Sequence, residues 1–261
     1  SSSVAILVGD AQIDHEACRP DGLVGDSLYC DVYDTDGREI IDNDHQRRVI
    51  GYFTSWRTGL NGQPGYIAKD IPWDKITHIN YAFAHIDAQN KVSIGNPSDP
   101  GNAATGIEWP GLAGAEMDPE FNFKGHFNQL AKYKKQYPDV KTLISVGGWA
   151  ETGGYFDANG NRVASGGFYE MTNTQAKIDT FADSAVEFLR TYKFDGLDID
   201  YEYATSNNGA GNPQDDWIAG PNRGKLWAQY EALMKTLREK LDAASKQDGQ
   251  HYMLTIASPA S

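Results

Sequence analysis

The chain has 261 residues, enough to bury a substantial core as one large domain or two small ones. Its formal net charge of -13 argues against phosphate backbones or anionic lipid as partners. No apolar run approaches the ~18–20 residues of a membrane helix, so nucleic-acid-binding and membrane-spanning readings are set aside. Hydrophobic content of 40% and charged content of 23% are ordinary for a globular protein. Six Trp and fourteen Tyr are more telling, because amphipathic aromatics pack well in cores and also stack on sugar rings.

The start, Ser1-Ser2-Ser3-Val4, shows no basic stretch followed by an apolar one, so no signal peptide is legible. A mature, processed chain would look this way, and so would a cytoplasmic protein. Residues 1–47 are rich in Asp and Gly, with turn signals at Asp21-Gly22 and Asp36-Gly37. They read as an extension with a short hairpin and no core of its own. Cys18 and Cys30, both in this segment, are expected to form a disulfide, which would imply an oxidising compartment; free thiols are the alternative. With no CxxC spacing and no nearby His cluster, zinc is not expected, and no metal or cofactor is assigned anywhere.

From Arg48 a rhythm of short apolar runs begins. Strands are predicted at Val49–Phe53, Ile76–Phe83, Thr142–Val146, Gly196–Glu202 and Tyr252–Ala257. Helical spacing lies between the later ones, over 126–137, 174–192 and 223–246, with starts at Asn173-Thr174 and Pro221-Asn222. Strands alternating with helices indicate a parallel α/β sheet, and long loops after strands two, three and four lie where such folds carry function. The six histidines lack metal-ligand spacing, and His78, within an apolar strand, reads as a hydrogen-bonded core residue.

Within Phe194-Asp195-Gly196-Leu197-Asp198-Ile199-Asp200-Tyr201-Glu202-Tyr203, three acids alternate with apolar residues. On a strand, Asp198, Asp200 and Glu202 would share one face, with Leu197, Ile199 and Tyr201 on the other. Like charges disfavour one another's ionised form, so at least one of the three acids should stay protonated near neutral pH. A neutral carboxylic acid beside ionised partners is what a glycosidic bond needs from a general acid. A Ca²⁺ or Mg²⁺ site is the competing reading, but cation loops carry Gly and polar residues between their ligands, not Leu, Ile and Tyr.

The segment Asp195 to Glu202 resembles the DxxDxDxE signature of family 18 glycoside hydrolases, the chitinases and their relatives. Ser145-Val146-Gly147-Gly148-Trp149 is similar to that family's SxGG motif. The resemblance runs from about Val49 to Ser261 and implies a (β/α)8 TIM barrel, of which 48–261 carries about the first five strands. It also implies substrate-assisted, retaining hydrolysis of chitin. Glu202 would be the general acid and then base, and the substrate's 2-acetamido oxygen would attack the anomeric carbon to give an oxazolinium ion. Asp200 would orient the acetamido group and stabilise its developing positive charge, and Asp198 would be the inner partner that shares a proton with Asp200.

Asp195, of opposite parity, reads as structural, as do Ser145 and Gly147. Tyr52, Trp56, Phe83, Gly148, Trp149 and Tyr203 are expected to bind substrate. Core packing is the alternative for the aromatics, weaker for Tyr52 and Trp149 and balanced for Trp56 and Phe83. Relatives also use a Tyr from strand six and a Trp from strand eight. The expectation is therefore that the rest of the barrel comes from the same polypeptide or a second chain, and that this segment alone is inactive. An endo-β-N-acetylglucosaminidase acting on N-glycans and a non-catalytic chitinase-like lectin are the alternatives, although lectins of this kind usually lose the acid found here as Glu202. The resemblance further implies a secreted protein.

Overall fold

The computed structural model describes residues 14–21, 28–38, 40, 48–60, 62, 65–147, 155, 156, 159, 161–163, 167–200 and 225–256. In chain order the elements are β1 (Ile50–Thr54), β2 (His78–Ile86), β3 (Val92–Ser93), α1 (Gly125–Lys134), β4 (Lys141–Gly147), β5 (Tyr155–Phe156) and β6 (Arg162–Val163). There follow α2 (Phe168–Met171), α3 (Gln175–Tyr192), β7 (Gly196–Asp200), α4 (Leu226–Asp248) and β8 (Met253–Ile256).

Strands β1, β2, β4, β7 and β8 lie side by side, each parallel to the next in chain order. A doubly wound sheet reverses its order part-way; an order that never reverses is that of a barrel wall. Among the described residues neither β1 nor β8 has an outer neighbour, so the barrel is unclosed.

The two faces of this wall differ because side chains alternate along a strand. Phe53, Ile79, Tyr81, Ile144, Val146, Leu197 and Ile199 point one way and are at most 1% exposed. They meet Phe127 and Leu130 of α1, Ile178 and Phe181 of α3, and Leu233 and Leu237 of α4 in one continuous core. The residues of opposite parity include Asn80, Ser145, Asp198 and Thr255, and the strand register sets Ser145 beside Asp198 and Asp198 beside Thr255.

Helix α3 begins where the sequence reading puts it. The Thr174 hydroxyl accepts a hydrogen bond from the Lys177 N–H at 3.2 Å, and Lys193, at φ 65°, ends the helix. Helix α1 stops three residues short of the predicted Tyr137, and Tyr133 and Tyr137 both stack on Trp73, at 5.5 and 5.8 Å. β2 continues past Phe83 to Ile86 because β3 folds back and pairs with its last two residues, a return the sequence did not signal. His78 is buried, with Nδ1 2.6 Å from the Thr77 hydroxyl.

At the amino ends of the strands, the Asp195 carboxylate accepts from the Thr142 backbone N–H at 2.8 Å and pairs with the Lys134 ammonium at 2.6 Å. One carboxylate thus ties α1, β4 and the start of β7 together.

The N-terminal extension contains two short 3-10 turns, His15–Cys18 and Tyr29–Asp31, joined by a Cys18–Cys30 disulfide. A hairpin turn forms at Asp36-Gly37: the Asp34 N–H donates to the Arg38 carbonyl and the Ile40 N–H to the Val32 carbonyl. Gly22, the second half of the other turn signal, lies outside the described residues. Tyr29 and Tyr33 line a groove together with Arg238 of α4 and residues Met253 to Ile256, so the extension lies beside the outer edge of β8. No helix among the described residues is long and apolar enough to cross a membrane.

Leu197 is fully buried between the sheet and the helices. Leu197→Ala is predicted to lower the unfolding free energy by about 2–5 kcal/mol in equilibrium urea denaturation. A loss below about 1 kcal/mol would mean that this face is not the principal core.

Candidate active site

Asp198 is 3% exposed, and a carboxyl group that far from water has to be hydrogen-bonded. Its two neighbours in the sheet meet that need. The Ser145 hydroxyl on β4 donates to Oδ2 at 2.8 Å, and the Thr255 hydroxyl on β8 donates to Oδ1 at 2.6 Å. Both distances are those of well-formed O–H···O hydrogen bonds. The carboxyl group is held crosswise, one oxygen to each adjacent strand.

Asp200 follows on the same face, one rung nearer the carboxyl end of β7 and only partly buried. Its partner in register is Gly147, the residue after Ser145-Val146. Gly147 has φ +117°, and a Cβ there would lie 2.3 Å from the Asp200 carbonyl oxygen and 2.7 Å from the Phe168 ring. Glycine is required on both counts: the backbone conformation disfavours a side chain, and there is no room for one.

Tyr52, on β1, belongs to the same cluster. Burial pushes its phenol above the usual range, the negative charges of Asp198 and Asp200 push the same way, and a hydrogen bond with the Asn80 side chain opposes them. The hydroxyl therefore stays protonated across the neutral range and can act as a donor near the carboxylates. The residue is nonetheless 58% exposed. Trp56, just beyond β1, is 53% exposed. Phe83 is half-buried within β2, at the point where the register to β4 slips between Ala82 and Ala84.

Of the residues singled out from the sequence, Asp198, Asp200, Ser145, Gly147 and Tyr52 come together on one face. Asp195 sits at the opposite end of the strands in the tie described above. Gly148, Trp149, Glu202 and Tyr203 lie outside the described residues. Two participants were not nominated from the sequence, Thr255 and Asn80. Each is a polar residue flanked by apolar ones, in Leu254-Thr255-Ile256 and Ile79-Asn80-Tyr81. That pattern marks the face on which they lie, but only the strand register reveals which carboxylate or phenol they reach. Among the described residues no group of three or more His, Cys, Asp or Glu side chains is placed to hold a metal ion.

The profile of Glycosyl hydrolases family 18 matches residues 48–261. The chain is 37% identical over 238 residues to Chitinase A1 of Niallia circulans, a match covering 82% of this chain and 30% of that protein. It is 34% identical over 217 residues to Chitinase C of Streptomyces lividans, covering 81% of this chain and 29% of that one. Among solved structures, a family GH18 chitinase from Chromobacterium violaceum superposes with a TM-score of 0.91 at 57% identity, covering 97% of this chain and 38% of that one. The chain thus spans well under half the length of these relatives. The family match covers both acidic and glycine-rich segments, which the fold sets on adjacent strands in register, and on that footing the chain belongs to family 18 of the glycosyl hydrolases.

Proposed function

We propose that the polypeptide carrying this chain hydrolyses β-1,4-linked N-acetylglucosamine polymers, chitin above all, with retention and through an oxazolinium ion. The observation that carries the reading is the Asp198 carboxyl group, fixed by Ser145 and Thr255, with Asp200 one rung further out on the same face. The names of the relatives point to the same substrate.

In this mechanism the acetamido oxygen of the substrate attacks the anomeric carbon as the glycosidic bond breaks. Glu202 supplies the proton to the departing oxygen and then takes one from the incoming water. Asp200 holds the acetamido N–H and offsets the positive charge that develops on the ring being formed. Asp198 is a fixed carboxyl group behind Asp200 that shares a proton with it, and the hydroxyl donors on both of its oxygens keep it from swinging toward the substrate. Tyr52 presents a hydroxyl toward the acids and a ring face toward the sugar. Trp56 extends that aromatic surface at the mouth, with Phe83, Trp149, Gly148 and Tyr203 as further contacts.

The open edges of β1 and β8 are the places where the remaining barrel strands pair, from the same polypeptide or from a second chain. Without them the segment is inactive, because the substrate cleft is incomplete. Secretion fits the Cys18–Cys30 disulfide, which needs an oxidising compartment to form.

Two outcomes test the roles. Glu202→Gln should lower kcat by at least about 10³-fold while binding of an N-acetylglucosamine oligomer persists, since the proton donor goes and the shape stays. Turnover near the wild-type rate would contradict the assignment. Asp200→Ala should slow cleavage of acetylated oligomers by on the order of 10²-fold or more, because the internal nucleophile loses its guide. If wild type and variant cleave oligomers lacking the acetamido group as fast as acetylated ones, substrate assistance is the wrong mechanism.

A further inference from the structure

His126, in the first turn of α1, is fully buried on the helix-covered side of the sheet, away from the acids. Its ring packs edge-on against Phe53 with centroids 4.8 Å apart, and it stacks on Trp109 at 5.4 Å. Nδ1 lies 3.1 Å from the Tyr81 hydroxyl, while Nε2 is buried with no hydrogen-bond partner. Burial holds the imidazole far below its ordinary pKa, at about 3, so the ring is neutral and Nδ1 shares one hydrogen bond with the Tyr81 hydroxyl. A buried ring nitrogen without a hydrogen-bond partner is a cost, and for packing alone an apolar ring would serve better at this position.

The neighbours of His126 indicate what offsets that cost. Tyr81 is followed in β2 by Ala82, the register partner of Thr54, so the strand that carries Tyr81 lies beside the start of the Ser55–Thr58 turn, in which Ser55 immediately precedes Trp56. On the other side of the imidazole, the Trp109 indole N–H donates to the Thr58 carbonyl at 2.9 Å. One buried side chain therefore bears on both ends of the Ser55–Thr58 turn, through Tyr81 on the strand beside its start and through Trp109 at its last residue. Within the turn the Ser55 N–H donates to the Ala82 carbonyl, and Trp56 stands out 53% exposed.

We propose that His126 is a positioning residue for substrate binding: it holds the Ser55–Thr58 turn from behind and so fixes where the Trp56 ring meets the sugar. The part concerning sugar rests on the proposed function, in which Trp56 is a stacking surface. His126 touches no substrate itself.

The test uses the complete polypeptide that carries this chain, an N-acetylglucosamine tetramer as probe, and the variants His126→Phe, Tyr81→Phe and Trp56→Ala. His126→Phe keeps the ring stack and removes the hydrogen bond to Tyr81; Tyr81→Phe breaks the same link with His126 in place, in case the first variant folds poorly. Both should speed hydrogen exchange of the Ser55–Thr58 amides, and both should raise KM roughly fivefold with kcat within about twofold. Trp56→Ala should raise KM as well, and adding His126→Phe to it should cost little more, because the two act through one element. Unchanged exchange in both phenylalanine variants, a loss confined to kcat, or fully additive KM effects would overturn the proposal. Faster exchange together with a Trp56→Ala variant of unchanged KM would uphold the positioning of the turn and overturn the stacking role of Trp56 instead.

Discussion

A single carboxyl group, that of Asp198, joins the fold of this chain to its chemistry. Buried beyond the reach of water, it has to find donors within the protein, and it finds one hydroxyl on each adjacent strand. Those two hydrogen bonds demand that β4, β7 and β8 keep one register, because a slip of one residue would turn Ser145 or Thr255 to the opposite face. Strand pairing in turn sets Asp200 opposite Gly147, where only a residue without a Cβ lets the two backbones pass so closely. The acids are in place because the sheet is in register, and the sheet pays for a buried carboxyl group only in that register.

The same wall separates stability from chemistry by direction. Toward the helices it is mostly apolar, and the core there is continuous from Phe53 to Tyr252. Toward the interior of the barrel it is polar along a row that ends in acids. Along the strands there is a second division. Asp195 with Lys134 ties helix and strands at the amino ends, while Asp198 and Asp200 approach the carboxyl ends, where loops meet substrate in barrels of this kind. Two aspartates three residues apart therefore do different work, one in a partly screened ion pair and one within the row of acids.

Much of this was legible beforehand. Five strands and three helices follow from apolar runs and helical spacing, and Thr174 marks its helix start through the chemistry of its hydroxyl. The alternation of Asp198 and Asp200 with Leu197 and Ile199 reveals both the strand and its two faces. What was not legible depends on neighbours distant in sequence. Thr255 looks like any threonine in a strand until β8 is set against β7. Asn80 and His126 look like ordinary core positions until Tyr52 and Tyr81 are placed beside them. β3 is two residues long and carries no pattern of its own, so the continuation of β2 past Phe83 could not be read from periodicity. The docking of the extension beside β8 is likewise a matter of long-range packing, not of composition.

The most direct test of this account removes both donors to Asp198 while leaving every acid in place, by the double substitution Ser145→Ala with Thr255→Val in the complete polypeptide. Turnover of an N-acetylglucosamine oligomer, measured well below the melting transition, should fall by on the order of 10- to 100-fold, as expected when hydrogen bonds that hold a buried carboxyl group in an active site are lost. Turnover within about twofold of the wild type would mean that the placement of Asp198 is not what the chemistry depends on.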